Sequence, residues 1–446
     1  MNRRRSFIAP LLIAFTMVAS AVSCGSTDDK AGAEPAASAC SRSQGKVELT
    51  YWAFGLNAQK IVDGFNASHP DIHVTLKDVS ANTVQQMTNA LKAGTAPDLG
   101  MVAYSDLPGF RLSDGLKDIS ACPGIAETQA QLVPWTWSQV NVGGTGIYGM
   151  PQDTGPMALY YRKDVFDKYG LTVPTTWAEY EAVGKRLRAA SPTTYLTNFT
   201  SGHAALLLSF MWQNGARPFQ YGKDQVTIDL AGDKARQVTD YWQKLIDEKL
   251  VTTTVQPFTP AEFKGMNDGT LATMLGASWL TGVMLANAPG AAGKWAVAPL
   301  PQWDPAKPAG ANYGGSGNVV FASSKHPAEA AEFAAWVATN EQPQKLLTSL
   351  GSVPPSLAAL NLPGMDAKPP YFGGQPVWHV FRDSSKVVDT SFQWSPNMTV
   401  VVNSMSDAIT NTLKGSNTLE AGLTSAQQKA VADLKTRGVD AKDGGQ

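Results

Sequence analysis

Val47-Glu48-Leu49-Thr50-Tyr51-Trp52 alternates apolar and polar residues as a strand does, and Ile72-His73-Val74-Thr75-Leu76 repeats the pattern downstream. Between them residues 58–68 carry Ile61, Val62 and Phe65 at helical spacing, and His69-Pro70-Asp71 marks the turn into the second strand. Strand, helix and strand in this order make a β-α-β unit, for which a parallel sheet is expected. The alternation continues outward through a helix at 84–93, a strand at 99–103, and a helix at 176–190 that Pro174 and Thr175 introduce. Further helices are expected at 234–248, 327–339, 342–349 and 400–414. The fold class is α/β throughout. No repeat of fixed period occurs, which disfavours a solenoid or propeller.

A chain of 446 residues exceeds one ordinary domain and suits two or three, each with its own core. Its 36 basic and 37 acidic residues nearly cancel, and no Lys/Arg run follows the first few positions, so the footprint of a nucleic-acid binder is missing. Twelve tryptophans against five histidines tilt the chemistry toward flat apolar surfaces and away from metal ligation or imidazole catalysis.

Residues 1–23 read as an export signal: Arg3, Arg4 and Arg5 form a basic head, and an apolar stretch runs from Phe7 to Val22. The stretch is shorter than the ~20 residues a spanning helix needs, and Ser26, Asp28, Asp29 and Lys30 follow it. Ala21-Val22-Ser23-Cys24-Gly25 resembles a bacterial lipobox, in which the cysteine is acylated and becomes the mature terminus. The competing reading is a plain small-residue cleavage site followed by an incidental Cys. Residues 24–45, rich in Ala, Ser and Gly, would form a tether, leaving the protein outside the cytoplasm on the outer face of the cell membrane. Arg4-Arg5-Ser6-Phe7-Ile8 resembles a twin-arginine signal, and the general and twin-arginine export routes both stay open. Lipidation of Cys24 leaves Cys40 and Cys122, an even pair in an oxidising compartment, either bridged or held as two separate buried thiols.

Several segments together resemble the extracellular solute-binding proteins that serve sugar importers, the group that includes maltodextrin-binding proteins. The likeness begins at Leu49-Thr50-Tyr51-Trp52 and continues at Phe65-Asn66-Ala67-Ser68-His69-Pro70 and at 91–99, Leu-Lys-Ala-Gly-Thr-Ala-Pro-Asp-Leu. Tyr148-Gly149-Met150-Pro151, Ala158 to Phe166, and Gly170-Leu171-Thr172-Val173-Pro174-Thr175-Thr176-Trp177 follow in order. Gly276-Ala277-Ser278-Trp279 and Gly314-Gly315-Ser316-Gly317-Asn318 complete a collinear series over almost all of the mature chain. The resemblance implies a two-lobed periplasmic-binding-protein type II fold, with lobe 1 at 46–153 plus 301–350 and lobe 2 at 156–298 plus 356–446. It also implies a carbohydrate, an oligosaccharide above all, held in the cleft and delivered to ATP-driven permease subunits after hinge closure. The chain is then a monomer without cofactor or resident metal.

A pyranose offers an apolar C–H face for stacking and a hydroxyl rim for hydrogen bonds, so a sugar site needs aromatic planes beside polar side chains. Trp52, Phe54 and Asn57 follow the first strand toward the expected cleft, although Trp52 reads equally as a core aromatic. Tyr104, Ser105 and Asp106 follow the third strand. Asp98 sits before it, where satisfying nearby backbone groups competes with ligand contact. Asp153 and Thr154 occupy the first crossing between lobes. Trp279 is the strongest aromatic candidate, since the resembling segment carries a sugar-stacking Trp. Trp212, Gly315 with Ser316, Trp378 and Trp394 complete the set, while Trp177 and Trp336 read as core.

The histidines show no metal-ligand spacing, and no nucleophile elbow, phosphate loop or dinucleotide fingerprint is present. Two alternatives stay open. One is a secreted glycoside hydrolase using paired carboxylates such as Asp106 and Asp153. The other is a binder of a charged solute, a polyamine or phosphorylated polyol.

Overall fold

A computed structural model describes residues 40–444 apart from Leu56 and Leu350, so the signal segment and Cys24 lie outside the described residues. The strands are β1 (Val47–Ala53), β2 (Ile72–Asp78), β3 (Leu99–Ala103), β4 (Gly149–Asp153), β5 (Met157–Arg162), β6 (Phe219–Tyr221), β7 (Val226–Ile228), β8 (Thr273–Ala277), β9 (Trp295–Ala298), β10 (Ser316–Val320) and β11 (Ala441–Asp443). In β1 the odd positions Val47, Leu49, Tyr51 and Ala53 are buried and Glu48 and Thr50 are exposed, as period-two patterning requires.

The first lobe is built on a five-stranded sheet in the order β2-β1-β3-β10-β4. β1 pairs in parallel with β2 and β3, whereas β10 runs antiparallel to β3 and β4. The expected parallel sheet therefore holds only for its first three strands. The reason lies in the route of the chain: β10 returns from the other lobe across the carboxyl edge of the sheet and must enter it backwards. Ser316, its first residue, stands opposite Ala103 and Asp153, the last residues of β3 and β4.

The second lobe carries two three-stranded sheets, β8-β5-β9, wholly antiparallel, and β11-β7-β6. Its helix Trp177–Ala190 starts at a capping box: the Thr176 side chain accepts from the Glu179 N–H, and the Glu179 carboxylate accepts from the Thr176 N–H at 3.2 Å. Trp177 lies buried among Tyr180, Phe210, Tyr241 and Trp303, so it is a core residue. The other expected helices form at Thr83–Lys92, Asp233–Asp247, Pro327–Thr339, Glu341–Ser349 and Met398–Leu413. The helix Leu419–Thr436, which packs on Met398–Leu413, has no counterpart in the expected set. Its buried face includes Gly422, Ala426 and Ala430, small residues that blunt the apolar periodicity.

Three segments cross between the lobes side by side. Tyr313 donates its N–H to the Gly155 carbonyl at 2.8 Å, and Thr154 donates its N–H and hydroxyl to the Val353 carbonyl at 3.1 and 2.7 Å. A Cβ at Gly155 would stand 2.1 Å from the Tyr313 carbonyl, so only glycine lets the first two crossings touch. Residues 301–310, expected to open the return to lobe 1, are bonded to the second lobe: Gln302 N–H to the Thr175 carbonyl at 2.8 Å, Gln213 Nε2 to the Pro301 carbonyl at 2.9 Å, and Gly310 N–H to the Val387 carbonyl at 2.9 Å.

Cys40 and Cys122 are joined by a disulfide across a sequence separation of 82, and both are buried. It ties the start of the described chain to the first lobe. Replacing Cys122 by Ser should cost about 2 to 4 kcal/mol of stability through loss of loop restraint. Urea unfolding of the variant and wild type checks this, and equal midpoints would contradict it.

Candidate ligand site at the lobe crossings

β3 and β4 end, and β10 begins, at one edge of the first sheet, so Tyr104, Asp153, Gly315 and Ser316 meet there. Asp153 Oδ1 accepts from the Ser316 N–H at 2.7 Å and from the Ser316 hydroxyl at 2.5 Å. Tyr104 donates its hydroxyl to the Asp153 carbonyl at 3.1 Å, and its N–H to the Gly315 carbonyl at 3.2 Å. Gly315 has φ 87°, and a Cβ there would stand 2.8 Å from the Tyr104 ring, so it acts as a spacer beneath that ring. Burial pushes the Asp153 carboxyl above its usual range, and the two Ser316 hydrogen bonds partly offset this. No cation bridges it among the described residues.

Trp279 comes to the same place from the other lobe. It follows β8 directly, and its indole N–H donates to the Tyr313 carbonyl at 2.9 Å. With the N–H occupied by the crossing segment, the ring face is what remains to offer. Cβ atoms placed on Gly155 and Gly314 would come within 3.1 and 3.3 Å of the Trp279 indole nitrogen, which fixes this ring against both crossings. The Tyr313 and Phe258 rings lie beside it, with centroids 5.4 and 6.0 Å away.

Sequence reasoning missed both neighbours. Tyr313 immediately precedes the Gly314-Gly315 pair already singled out. Phe258 has φ 60°, a left-handed conformation that is costly for a bulky residue, and is 49% exposed. Glu262 holds this turn by accepting the Phe258 N–H at 2.7 Å, and the Thr259 side chain caps the following helix Pro260–Asp268. That capping signature directly after an aromatic residue was the available signal.

Asp106 lies further along the edge in a pocket of about 280 Å³ between the lobes, with Ser105 and Phe110 on one side and Pro396, Met398 and Arg437 on the other. Burial pushes its carboxyl up to about 6. Phe54 is partly buried beyond the end of β1, and Asn57 precedes the helix Ala58–Ser68 in a left-handed conformation, its side chain making no cap.

The remaining candidates are placed elsewhere. Asp98 stands at the opposite, amino end of β3, where its carboxylate accepts from the Thr50 N–H and hydroxyl, both at 2.9 Å, and from the Ser324 hydroxyl at 2.7 Å. It ties β1 and β3 to the loop after β10 and is spent on structure. Trp52 lies partly buried on β1 with the Lys77 ammonium 3.7 Å above its ring, a cation–π pair. Trp212 is 1% exposed, stacks on Phe392 at 4.2 Å and donates its N–H to the Asp389 carbonyl. Trp394 donates to Gln139 Oε1 at 2.6 Å and also packs on Phe392. With Trp135, these rings form a sealed aromatic seam between the helices Pro134–Val140 and Ala204–Gln213, so Trp212 and Trp394 serve packing in this structure. Trp378 borders a separate groove beyond Trp279.

Among the described residues no helix is long and apolar enough to cross a membrane, and no group of three or more His, Cys, Asp or Glu could hold a metal ion.

Comparison with known proteins gives the family and the fold. The family model for bacterial extracellular solute-binding proteins matches residues 55–343. An arabinooligosaccharide-binding protein of Halalkalibacterium halodurans is 26% identical over 88% of this chain and 91% of its own length. A binding protein of Bifidobacterium animalis subsp. lactis, solved with β-1,6-galactobiose, superposes with a TM-score of 0.75 at 31% identity, over 89% of this chain and 99% of that one. The Bifidobacterium longum galacto-N-biose/lacto-N-biose I-binding protein, solved with lacto-N-biose, gives a TM-score of 0.78 at 27% identity, over 90% and 100% of the two chains.

Two outcomes test the placement. Trp212→Ala should cost about 3 to 5 kcal/mol in chemical unfolding, while Trp279→Ala should cost no more than about 1.5 kcal/mol; the reverse order would put Trp279 in the core and Trp212 in the cleft. Asp106→Asn should raise the melting temperature at neutral pH. The folded pKa lies above the unfolded one, so the ionised carboxylate opposes folding, and the gain should grow as pH rises from about 4 through about 6. Melts of both proteins across that range give the answer, and a gain independent of pH would contradict it.

Proposed function

Because this chain belongs to the bacterial extracellular solute-binding protein family, we propose that it captures an oligosaccharide between its two lobes and delivers it to an ATP-driven importer. The observation that carries this reading is the meeting of Asp153, Ser316 and Tyr104 from one lobe with the Trp279 ring from the other, through segments that hydrogen-bond to each other. An aromatic plane beside hydrogen-bonding groups is what a pyranose needs. The second Asp153 oxygen and the Asp106 carboxylate offer acceptors for sugar hydroxyls. The binding proteins named above, two of them solved with disaccharides, support the same ligand class.

The mechanism follows from the crossings. In the open form the two half-sites are wet and separate. A sugar that reaches both joins them, and its binding energy shifts the hinge toward closure by as much as it favours the closed form over the open one. The importer then reads the closed outline. The lobes divide at the crossings 153–157, 310–316 and 351–354, and the protein works as a binder without turnover.

Cys24, in this reading, is the acylated mature terminus, and residues 24–45 are the tether that keeps a monomeric receptor near its permease. Intact mass of the membrane-extracted protein should show the acyl increment, and an unmodified terminus would sink the anchor.

A thermal-shift panel of β-1,6-galactobiose, lacto-N-biose, lactose, maltose and arabinooligosaccharides should give at least one strong stabiliser, since a ligand of the folded state alone raises stability by mass action. Binding should change little between low and high salt, because a neutral sugar offers no ion pair to screen. Strong salt dependence with a polyamine or polyol phosphate as the stabiliser would overturn the sugar assignment, and release of shorter sugars on incubation would point to a hydrolase. In calorimetric titration Trp279→Ala should weaken the stabilising sugar at least about tenfold, and an unchanged affinity would remove Trp279 from the site.

A further inference from the structure

Two features coincide at Phe258. It is 49% exposed, and among the described residues no other Phe, Trp or Tyr is as exposed. It also holds φ 60°, whereas the other described non-glycine residues at positive φ are Asn57, Asn82, Asp114 and Lys249. Asn and Asp enter this region readily, and a bulky ring does not. An apolar ring in water and a strained backbone both oppose folding, so the surrounding structure must hold Phe258 in place.

That hold comes from the interior of the second lobe. Glu262, 2% exposed and with no cation among the causes that shift its carboxyl, accepts the Phe258 N–H at 2.7 Å and the Asn198 side-chain N–H at 2.8 Å. Asn198 is itself buried and also donates to the Val255 carbonyl at 3.0 Å, while the Thr200 hydroxyl donates to Gln256 Oε1 at 2.8 Å. Pro257 is seated on Gly202, where a Cβ would stand 2.7 Å from the proline Cγ. Burying a carboxylate is costly, yet here it serves to fix one turn. The turn decides where the ring goes: its centroid lies 6.0 Å from that of Trp279, with the planes tilted by 38°. Phe258, Trp279 and Tyr313 border a space of about 30 Å³, room for about one water and none for a sugar. A ligand at Trp279 therefore lies across these rings instead of between them.

We propose that Phe258 is a second aromatic plane that contacts the sugar held at Trp279, and that Glu262 is the residue that positions it. The inference rests on the sugar reading above and adds to it a binding residue and that residue's support. Phe258 has no polar atom on its side chain, so it meets a ligand through its ring alone, and the C–H face of a pyranose is the matching surface. Strained residues that their surroundings over-determine cluster at ligand clamps, and this one stands beside the ring that carries the site. The competing role is a ring that merely packs on its neighbour, and the experiment separates the two.

The sugar that most stabilises wild type in the thermal-shift panel is titrated calorimetrically into wild type, Phe258→Gly, Glu262→Ala and the double variant, with a melt of each without ligand. Glycine keeps the left-handed turn and removes the ring, so Phe258→Gly should melt close to wild type and bind the sugar at least about threefold more weakly. Glu262→Ala should melt lower and also bind more weakly, yet it should add no loss of affinity once the ring is gone, since its effect on binding passes through the ring. Should Glu262→Ala not fold, Asn198→Ala, which removes the carboxylate's other partner, takes its place in the cycle with the same expectation. Unchanged affinity in Phe258→Gly would overturn the inference, and the sugar reading would still stand if Trp279→Ala weakens the same sugar. A Phe258→Gly that melts far below wild type and binds normally would make the ring a packing residue, again against the inference. Equal losses from Glu262→Ala with and without the ring would overturn the positioning role. Binding of no sugar in the panel to wild type would remove the sugar reading and this inference with it.

Discussion

The arrangement depends on one carboxylate. Asp153 accepts two hydrogen bonds from Ser316, so the strand that leaves the first lobe and the strand that returns to it are clamped where both meet the cleft. Hydrogen bonds to a charged acceptor contribute about 1.5–3 kcal/mol, enough to offset part of the cost of burying a carboxylate. The residues that fit around this clamp are constrained accordingly: Gly315 has no room for a side chain beneath Tyr104, and Tyr104 closes over the Asp153 carbonyl. A group that must stay put while the lobes move belongs at such a point, because the crossing segments are shared by both lobes.

Beside the clamp runs a second inter-lobe contact of a different kind. Trp135, Trp212, Phe392 and Trp394 bury large aromatic area between a helix of each lobe, and Gln139 fastens it by donating to the Phe392 carbonyl at 3.0 Å and accepting from Trp394 at 2.6 Å. Packing of this type is non-directional and strong, whereas the hydrogen bonds at the crossings are directional. In the proposed reading stability and recognition fall to different residues even though both join the same two lobes.

Much of this was legible in the chain. The β-α-β opening rests on alternation in 47–53 and helical spacing in 58–68, patterns that report directly which atoms leave water. Compartment and an even number of cysteines left Cys40 and Cys122 either bridged or as two separate thiols, and the structure joins them. The backward entry of β10 was not legible, because strand direction depends on which lobe the chain arrives from. Nor did sequence separate the tryptophans: Trp279 and Trp212 have the same side chain, and only the partner of the indole N–H and the surroundings of the ring distinguish a wall from a core. Asp98 and Asp153 posed the same problem. One carboxylate is consumed by Thr50 and Ser324 at the far end of the sheet, and the other sits at the cleft edge.

The central claim is that ligand joins the lobes at the crossing segments. Hydrogen–deuterium exchange with and without the stabilising sugar examines it residue by residue. Slower exchange should appear at 104–106, 153–157, 279–283 and 313–316 together, since closure over a ligand shields those backbones and opposes their local opening. Protection confined to one lobe, or falling outside these segments, would contradict the account.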